Sequence, residues 1–291
     1  MIKHDEQQYL DMIKDILENG EKETGRNGNT MVLFGTNMRY NLRESTLPLL
    51  TTKKLAWKSC LKELLWFISG KTDNKILKEQ KVKIWNLNGS REFLDSRNLN
   101  YREDDLGPVY GHQWRHFNAE YDNCDKSYEE KGVDQLSNVI KMLKDPVERF
   151  SRRIVLSAWN PCQLDEMALP PCHIMMQFHV NQNSELSCVL YQRSGDFGLG
   201  VPFNIASYSF LTHLLAHHCD LKVKEFIHFI GNTHIYEDHI EPLKEQMIRE
   251  PKPFPKIIIK NKYDSIDEYK FEDFEIKDYL HHEAVKMNMS A

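Results

Sequence analysis

The residues able to do chemistry in this chain are concentrated between Cys172 and Asn204. Cys172 alone among the cysteines follows two prolines, Pro170 and Pro171, which fix the backbone and deny it helical geometry. Residues 173–180 read as a buried strand, 181–184 as a turn and 186–191 as a second strand, so the two make a hairpin. At its end Gln192, Arg193, Ser194 and Asp196 supply donors, one cation and one carboxylate. Residues 198–204 read as a loop that gives way to an apolar helix over 205–216. A thiol is mostly protonated at neutral pH unless a cation or dipole lowers its pKa, and only the thiolate is a good nucleophile. Arg193 is such a cation, and it is also suited to binding an anionic substrate. The competing reading is a buried structural thiol beside a surface charge.

The elements that must position these groups follow from periodicity. Tyr9, Met12, Ile13, Ile16 and Leu17 predict a helix closed by Asn19 and Gly20. Arg26 stands in a turn before a short strand over 31–34. An apolar helix is predicted over 58–69, with Glu63 in its middle. That carboxylate either takes the one wet face or is a costly buried acid that orders water for proton transfer. Residues 81–117 are irregular and charged, and 124–131 read as a surface loop. Val133, Leu136, Ile140 and Leu143 mark a helix stopped by Asp145 and Pro146. Arg152 and Arg153, a pair that would ordinarily be a solvated face, precede a strand over 154–158. Further on come a strand over 226–230, a helix marked by Ile235, Ile240, Leu243 and Met247 with Pro242 near its first turn, and a strand over 255–260. The polar tail, 279–291, carries no pattern that by itself calls for order.

Composition removes several classes of function. The length, 291 residues, allows one large domain or two small ones, and the spread of the candidate site from Arg26 to Tyr236 argues for one. A net charge of −5 exerts no general pull on nucleic acid or anionic membrane, so a phosphate would need local arginines. The six cysteines are scattered with no C-x-x-C pair, which argues against zinc and against a disulfide framework. No apolar signal region opens the chain and no stretch approaches the length of a membrane span. The expectation is a protein of a reducing compartment, the cytoplasm or the nucleus. Gly195, Gly198 and Gly200 lack the spacing and the βαβ setting of a dinucleotide loop. His213, His217 and His218 share a helix without an acidic third ligand at a standard spacing, so no metal is expected. His173, next to Cys172 on a strand, is expected to point to the opposite face and to be a poor base for it.

Pro170-Pro-Cys-His173, Tyr191-Gln-Arg-Ser-Gly-Asp196 and Gly200-Val-Pro-Phe-Asn-Ile-Ala206 closely resemble the core of the folate-dependent thymidylate synthase family. The resemblance spans nearly the whole chain and is nearest the eukaryotic type. It includes Leu47-Pro-Leu-Leu-Thr-Thr-Lys-Lys54, Glu63-Leu-Leu-Trp-Phe67, the stretch from Ile84 to Leu94, that from Leu106 to Arg115, Arg152-Arg153 and His234-Ile-Tyr236.

The resemblance implies an α/β fold of the α+β type: a single catalytic domain over 1–291, its large mixed β-sheet backed by helices and used for a sheet-to-sheet homodimer. It implies reductive methylation of dUMP to dTMP, with 5,10-methylenetetrahydrofolate as co-substrate, by addition of Cys172 to the uracil ring. Catalytic roles then fall to Cys172, Glu63, Tyr110, Arg193 and Asp196. Arg26, Arg193, Ser194 and the partner subunit's Arg152 and Arg153 would hold the phosphate. Asn204 would read the uracil edge with one donor and one acceptor. Gln192 and Tyr110 would orient Cys172 and the base, and His234 and Tyr236 would bind the sugar hydroxyl. Asp196, with Trp85, Asn88, Leu199, Gly200, Phe203 and the terminal Ala291, would hold folate under a closing tail. The chain departs from the family pattern at Asn232, where Asp is usual, at His179, where Tyr is usual, in a tail without the family's prolines, and in the loop before Arg152, which is longer. A pyrimidine hydroxymethylase, in which water quenches the same intermediate, and a binding protein that keeps the fold without catalysis are the alternatives. Asn204 argues against a cytosine substrate, and the intact set of Cys172, Arg193, Asp196 and Asn204 argues against loss of catalysis.

Overall fold

The computed structural model describes residues 3–25 and 28–288. In chain order they form α1 (Gln7–Asn19), β1 (Glu21–Gly25), β2 (Gly28–Asn41), α2 (Trp57–Ile68), α3 (Asn74–Glu79), α4 (Arg91–Ser96), α5 (Tyr110–His116), α6 (Gln135–Lys144), β3 (Val155–Ser157) and β4 (His173–Val180). There follow β5 (Glu185–Asp196), α7 (Gly200–His218), β6 (Lys222–Tyr236), α8 (Ile240–Met247), β7 (Lys256–Ile259) and β8 (Phe274–Lys277).

Six strands make one mixed sheet in the order β1-β2-β6-β5-β4-β3. Only β5 and β6 run parallel, because α7 carries the chain from the end of one back to the start of the other. That helix is apolar on every side and is buried accordingly, from Val201 and Pro202 through Ala216. With α1 and α2 it covers one face of the sheet. On the other face Met175, Tyr191 and Phe229 lie directly opposite one another across β4, β5 and β6. Together with Val155 they remain exposed. Four neighbouring apolar side chains left in water mark an interaction surface.

Several expectations need correcting. The strand predicted over 31–34 extends through fourteen residues of β2, and Ile235, expected in a helix, is the penultimate residue of β6. The helix predicted from Ile205 begins at Gly200. Pro202 is tolerated there because first-turn N–H groups have no intrahelical partner. The Asp196 carboxylate takes up those N–H groups instead, accepting from Gly198 at 2.8 Å, Leu199 at 3.1 Å and Gly200 at 3.3 Å. The irregular stretch 81–117 contains α4 and α5. The polar tail runs without regular structure but is tied down: Tyr279 donates to the Leu50 carbonyl, and the His282 N–H donates to that of Thr51.

The turn that delivers α5, and with it Tyr110, depends on Gly107. Its φ is +73°, and a Cβ there would sit 2.1 Å from the Glu166 carbonyl oxygen. Gly107→Ala should therefore lose about 2 kcal/mol or more in urea unfolding. A change below about 0.5 kcal/mol would show that the turn relaxes freely.

Candidate active site

Cys172 sits where the chain enters β4, on a cavity of about 410 Å³. Its backbone N–H donates to the Tyr110 hydroxyl at 2.8 Å, and its carbonyl accepts from the Arg193 N–H at 2.9 Å. The Arg193 guanidinium donates from Nε to the Pro171 carbonyl at 2.9 Å and from Nη2 to that of Pro170 at 3.0 Å. Two rigid prolines and one arginine thus fix the thiol between strands. Burial pushes the Cys172 thiol up from its ordinary value, and Arg193 only partly opposes this. The expected lowering by Arg193 is outweighed, so the thiol is the resting form at neutral pH.

The floor of the cavity is a polar relay. Asn204, in the first turns of α7, accepts at Oδ1 from Gln192 Nε2 at 2.9 Å. That same nitrogen also donates to the Ser194 carbonyl, and the Gln192 oxygen is 2.8 Å from His228 Nε2. Burial pushes His228 down to about 3, so its ring is neutral and donates to Gln192. Gln192 is spent on orienting Asn204 rather than Cys172. On the opposite wall Glu63 is buried on α2 and accepts from Trp85 Nε1 at 2.7 Å. Burial pushes Glu63 up to about 7 against that hydrogen bond, which leaves it able to hold or release a proton near neutrality.

Beyond the thiol the walls turn apolar. Trp85, Leu87, Ile84, Leu169 and Phe203 face the space, with Asn88 and Asp196 as polar points. The Asn88 carboxamide has no hydrogen bond with the described residues, so it has capacity left for a ligand. Burial raises the pKa of Asp196, but His239, the Gly198 N–H and His234 outweigh it and hold the carboxyl below its ordinary range. A flat apolar slot ending in an ionised carboxylate fits a fused heterocycle that carries ring N–H donors.

A model of the family described as "Thymidylate synthase" matches residues 7–291. The chain belongs to the thymidylate synthase family. It is 55% identical to the thymidylate synthase of Homo sapiens over 289 residues, covering 99% of this chain and 91% of that one. It is 52% identical to the thymidylate synthase of Saccharomyces cerevisiae over 297 residues, 98% of this chain and 97% of that one. The bifunctional dihydrofolate reductase-thymidylate synthase of Paramecium tetraurelia matches at 52% over 290 residues, 99% of this chain but 62% of that protein.

Cys172, Glu63, Trp85, Asn88, Tyr110, Gln192, Arg193, Ser194, Asp196, Leu199, Gly200, Phe203, Asn204, His234 and Tyr236 all line this one cavity of the family member. Arg152 and Arg153 do not; they are exposed just before β3, beside the open face of the sheet. Arg26 and Ala291 lie outside the described residues. His173, expected on the face opposite Cys172, also lines the cavity, because Cys172 precedes the strand and a bulge lies between His173 and Met175. Burial lowers its pKa to about 4, so it is neutral at physiological pH. His228 does not stand out in the sequence; it looks like one more histidine in an apolar strand, and no local pattern marks it. At Asn232 the side-chain oxygen lies 2.9 Å from His234 Nδ1, so the residue that departs from the family pattern directly holds a cavity histidine. A larger cavity of about 580 Å³ lies around His112, His116, Tyr128 and Arg115. Near it Asp73, Cys124 and Asp125 approach one another, but Arg102 already bonds both carboxylates.

Proposed function

We propose that this cavity is where the chain carries out the reductive methylation of dUMP to dTMP, with Cys172 as the nucleophile and Asn204 reading the base. The single observation that carries the reading is the frame around Cys172, made by Tyr110, Arg193 and two proline carbonyls and aimed across the cavity from Asn204.

Cys172 Sγ bonds to carbon 6 of the uracil ring, an electron-poor alkene carbon, and the displaced electron pair moves to carbon 5 and oxygen 4. Asn204 donates to oxygen 4 and accepts from nitrogen 3, with its orientation fixed by Gln192. Methylenetetrahydrofolate, as co-substrate, supplies the one-carbon unit and then a hydride, and leaves as dihydrofolate. Glu63 orders water for the proton transfers at the ring, a task suited to an acid titrating near neutral pH. After carbon 5 has lost its proton and the hydride has arrived, the ring double bond reforms and the Cys172 bond breaks, which regenerates the thiol. Trp85, Asn88, Asp196, Leu199, Gly200, Phe203 and Ala291 hold the folate. Arg26, Arg193 and Ser194 bind the phosphate, and His234 and Tyr236 bind the sugar hydroxyl. Arg193 keeps Nη1 for that purpose while Nε and Nη2 hold the prolines.

The whole chain, 1–291, acts as one catalytic domain in a homodimer joined through the open sheet face of Val155, Met175, Tyr191 and Phe229. Arg152 and Arg153 beside that face serve the neighbouring site. Six free cysteines suit a reducing compartment such as the cytoplasm. Among the described residues no helix is long and apolar enough to cross a membrane.

The test is direct: dUMP and methylenetetrahydrofolate are mixed with the chain, and dihydrofolate absorbance is followed as the nucleotide product is identified by mass. Equal amounts of dTMP and dihydrofolate are expected; no turnover, or a hydroxymethyl product, would overturn the reading. Asn204→Asp tests the base contact separately. The change replaces the donor to oxygen 4 with a carboxyl group that pairs with cytosine's amino group. A mispaired buried polar group costs about 1–3 kcal/mol, so preference for dUMP over dCMP should fall roughly ten- to a hundred-fold. An unchanged preference would remove Asn204 from that role.

A further inference from the structure

His239 lies outside the cavity, fully buried beneath the Asp196 turn, and touches two separate parts of the chain. Its Nε2 is 2.7 Å from the carbonyl of Asn288, near the end of the described tail. Its Nδ1 is 3.5 Å from Asp196 Oδ1, within ion-pair range but beyond a good hydrogen bond. No other partner meets Nδ1 among the described residues. The ring is packed hard against the turn: a Cβ on Gly198 would stand 2.2 Å from Nδ1.

We propose that His239 is a positioning residue that ties the C-terminal tail to the Asp196 turn and holds both only while its ring is protonated. A neutral imidazole has a single N–H, which can serve the tail or Asp196 but not both. The negative charge of Asp196 selects the tautomer with hydrogen on Nδ1, so the bond lost on deprotonation is the one to Asn288. The imidazolium donates at both ends.

The groups facing this ring decide its titration. Asp196 and, at 3.9 Å from Nε2, Asp238 favour the cation. His234 disfavours it when charged, and the Tyr236 ring meets it edge-on at 5.6 Å. Lys53 lies beyond, donating to the Gly198 carbonyl, and burial brings its own pKa down to about 7. Burial lowers His239, but Asp196, the Asn288 carbonyl and Asp238 outweigh it and leave the ring above the ordinary imidazole value. A group raised in this way contributes fully at low pH, and its contribution is lost as pH rises through the raised value. Tail seating is therefore strongest on the acid side and loosens toward mildly alkaline pH. Tail seating depends on no functional assignment, whereas its consequence for folate rests on the proposed role of Asp196.

Two readouts test it. Hydrogen exchange of residues 279–288, corrected for intrinsic rates, is followed in the wild-type protein from about pH 5 to about pH 9. Protection should fall about ten-fold in one step above the ordinary histidine pKa, and the step should move to lower pH in Asp196→Asn, where the carboxylate is gone. In His239→Gln the step should vanish, and KM for methylenetetrahydrofolate should rise about ten-fold while KM for dUMP stays within about two-fold. Protection without a pH step in the wild type, or the same step in His239→Gln, would overturn the proposal. If the wild type makes no dTMP, the functional reading fails while the exchange experiment still decides the role of His239.

Discussion

Cys172→Ser should lower turnover by on the order of a thousand-fold or more while dUMP binding stays within a few-fold. The reason lies in the group and its surroundings. A serine hydroxyl ionises far less readily than a thiol, and the cavity that already pushes Cys172 up would push an alkoxide further. The frame is unaffected, because Tyr110 and Arg193 hold backbone atoms at 170–172 rather than the sulfur. A binding measurement on the variant separates loss of the nucleophile from loss of the site. Turnover above about a tenth of wild type would mean that Cys172 is not the nucleophile.

The second large effect concerns Arg152 and Arg153. Their side chains make no ion pair or hydrogen bond with the described residues, and they lie beside the apolar sheet face instead of on their own chain's cavity. If they complete the neighbouring site, each active site is a composite of two chains. One inactive variant carries Cys172→Ser and another Arg152→Ala with Arg153→Ala. Co-refolding them in equal amounts should give about half mixed dimers, each with one site bearing both defects and one bearing none. About a quarter of wild-type activity should then return. If the arginines act within their own chain, every site keeps a defect and nothing returns. Dimer exchange checked by mass with no recovered activity would refute the shared site.

Much of the site could be read from the chain because the restraints on it are local. Pro170 and Pro171 announce a fixed backbone at Cys172, and the hairpin that follows has its turn at 181–184. Glu63 stands out as a carboxylate in an apolar helix, and the structure buries it. What escaped depends on contacts between distant segments. Residues 200–204 look like a loop because of Gly200 and Pro202, yet Asp196 supplies the acceptors that let a helix begin there, and this sets Asn204 on α7 facing the cavity. β1, Glu21–Gly25, is exposed along its whole length and so carries no apolar alternation; only its pairing with β2 makes it a strand. The relay from His228 through Gln192 to Asn204 joins β6, β5 and α7, and no spacing in the sequence reveals it. The tail's order arises in the same way, from Leu50, Thr51 and His239 rather than from its own composition.

Everything proposed for the cavity requires that it transfer both a carbon and a hydride to uracil. The measurement is turnover of dUMP with methylenetetrahydrofolate that carries deuterium at the hydride-donating carbon, with the nucleotide product analysed by mass. The expected product is dTMP whose methyl group holds one deuterium from the folate, formed by the wild-type chain and absent with Cys172→Ser. A hydroxymethyl nucleotide without deuterium, or labelled dTMP formed equally well without the Cys172 thiol, would contradict it.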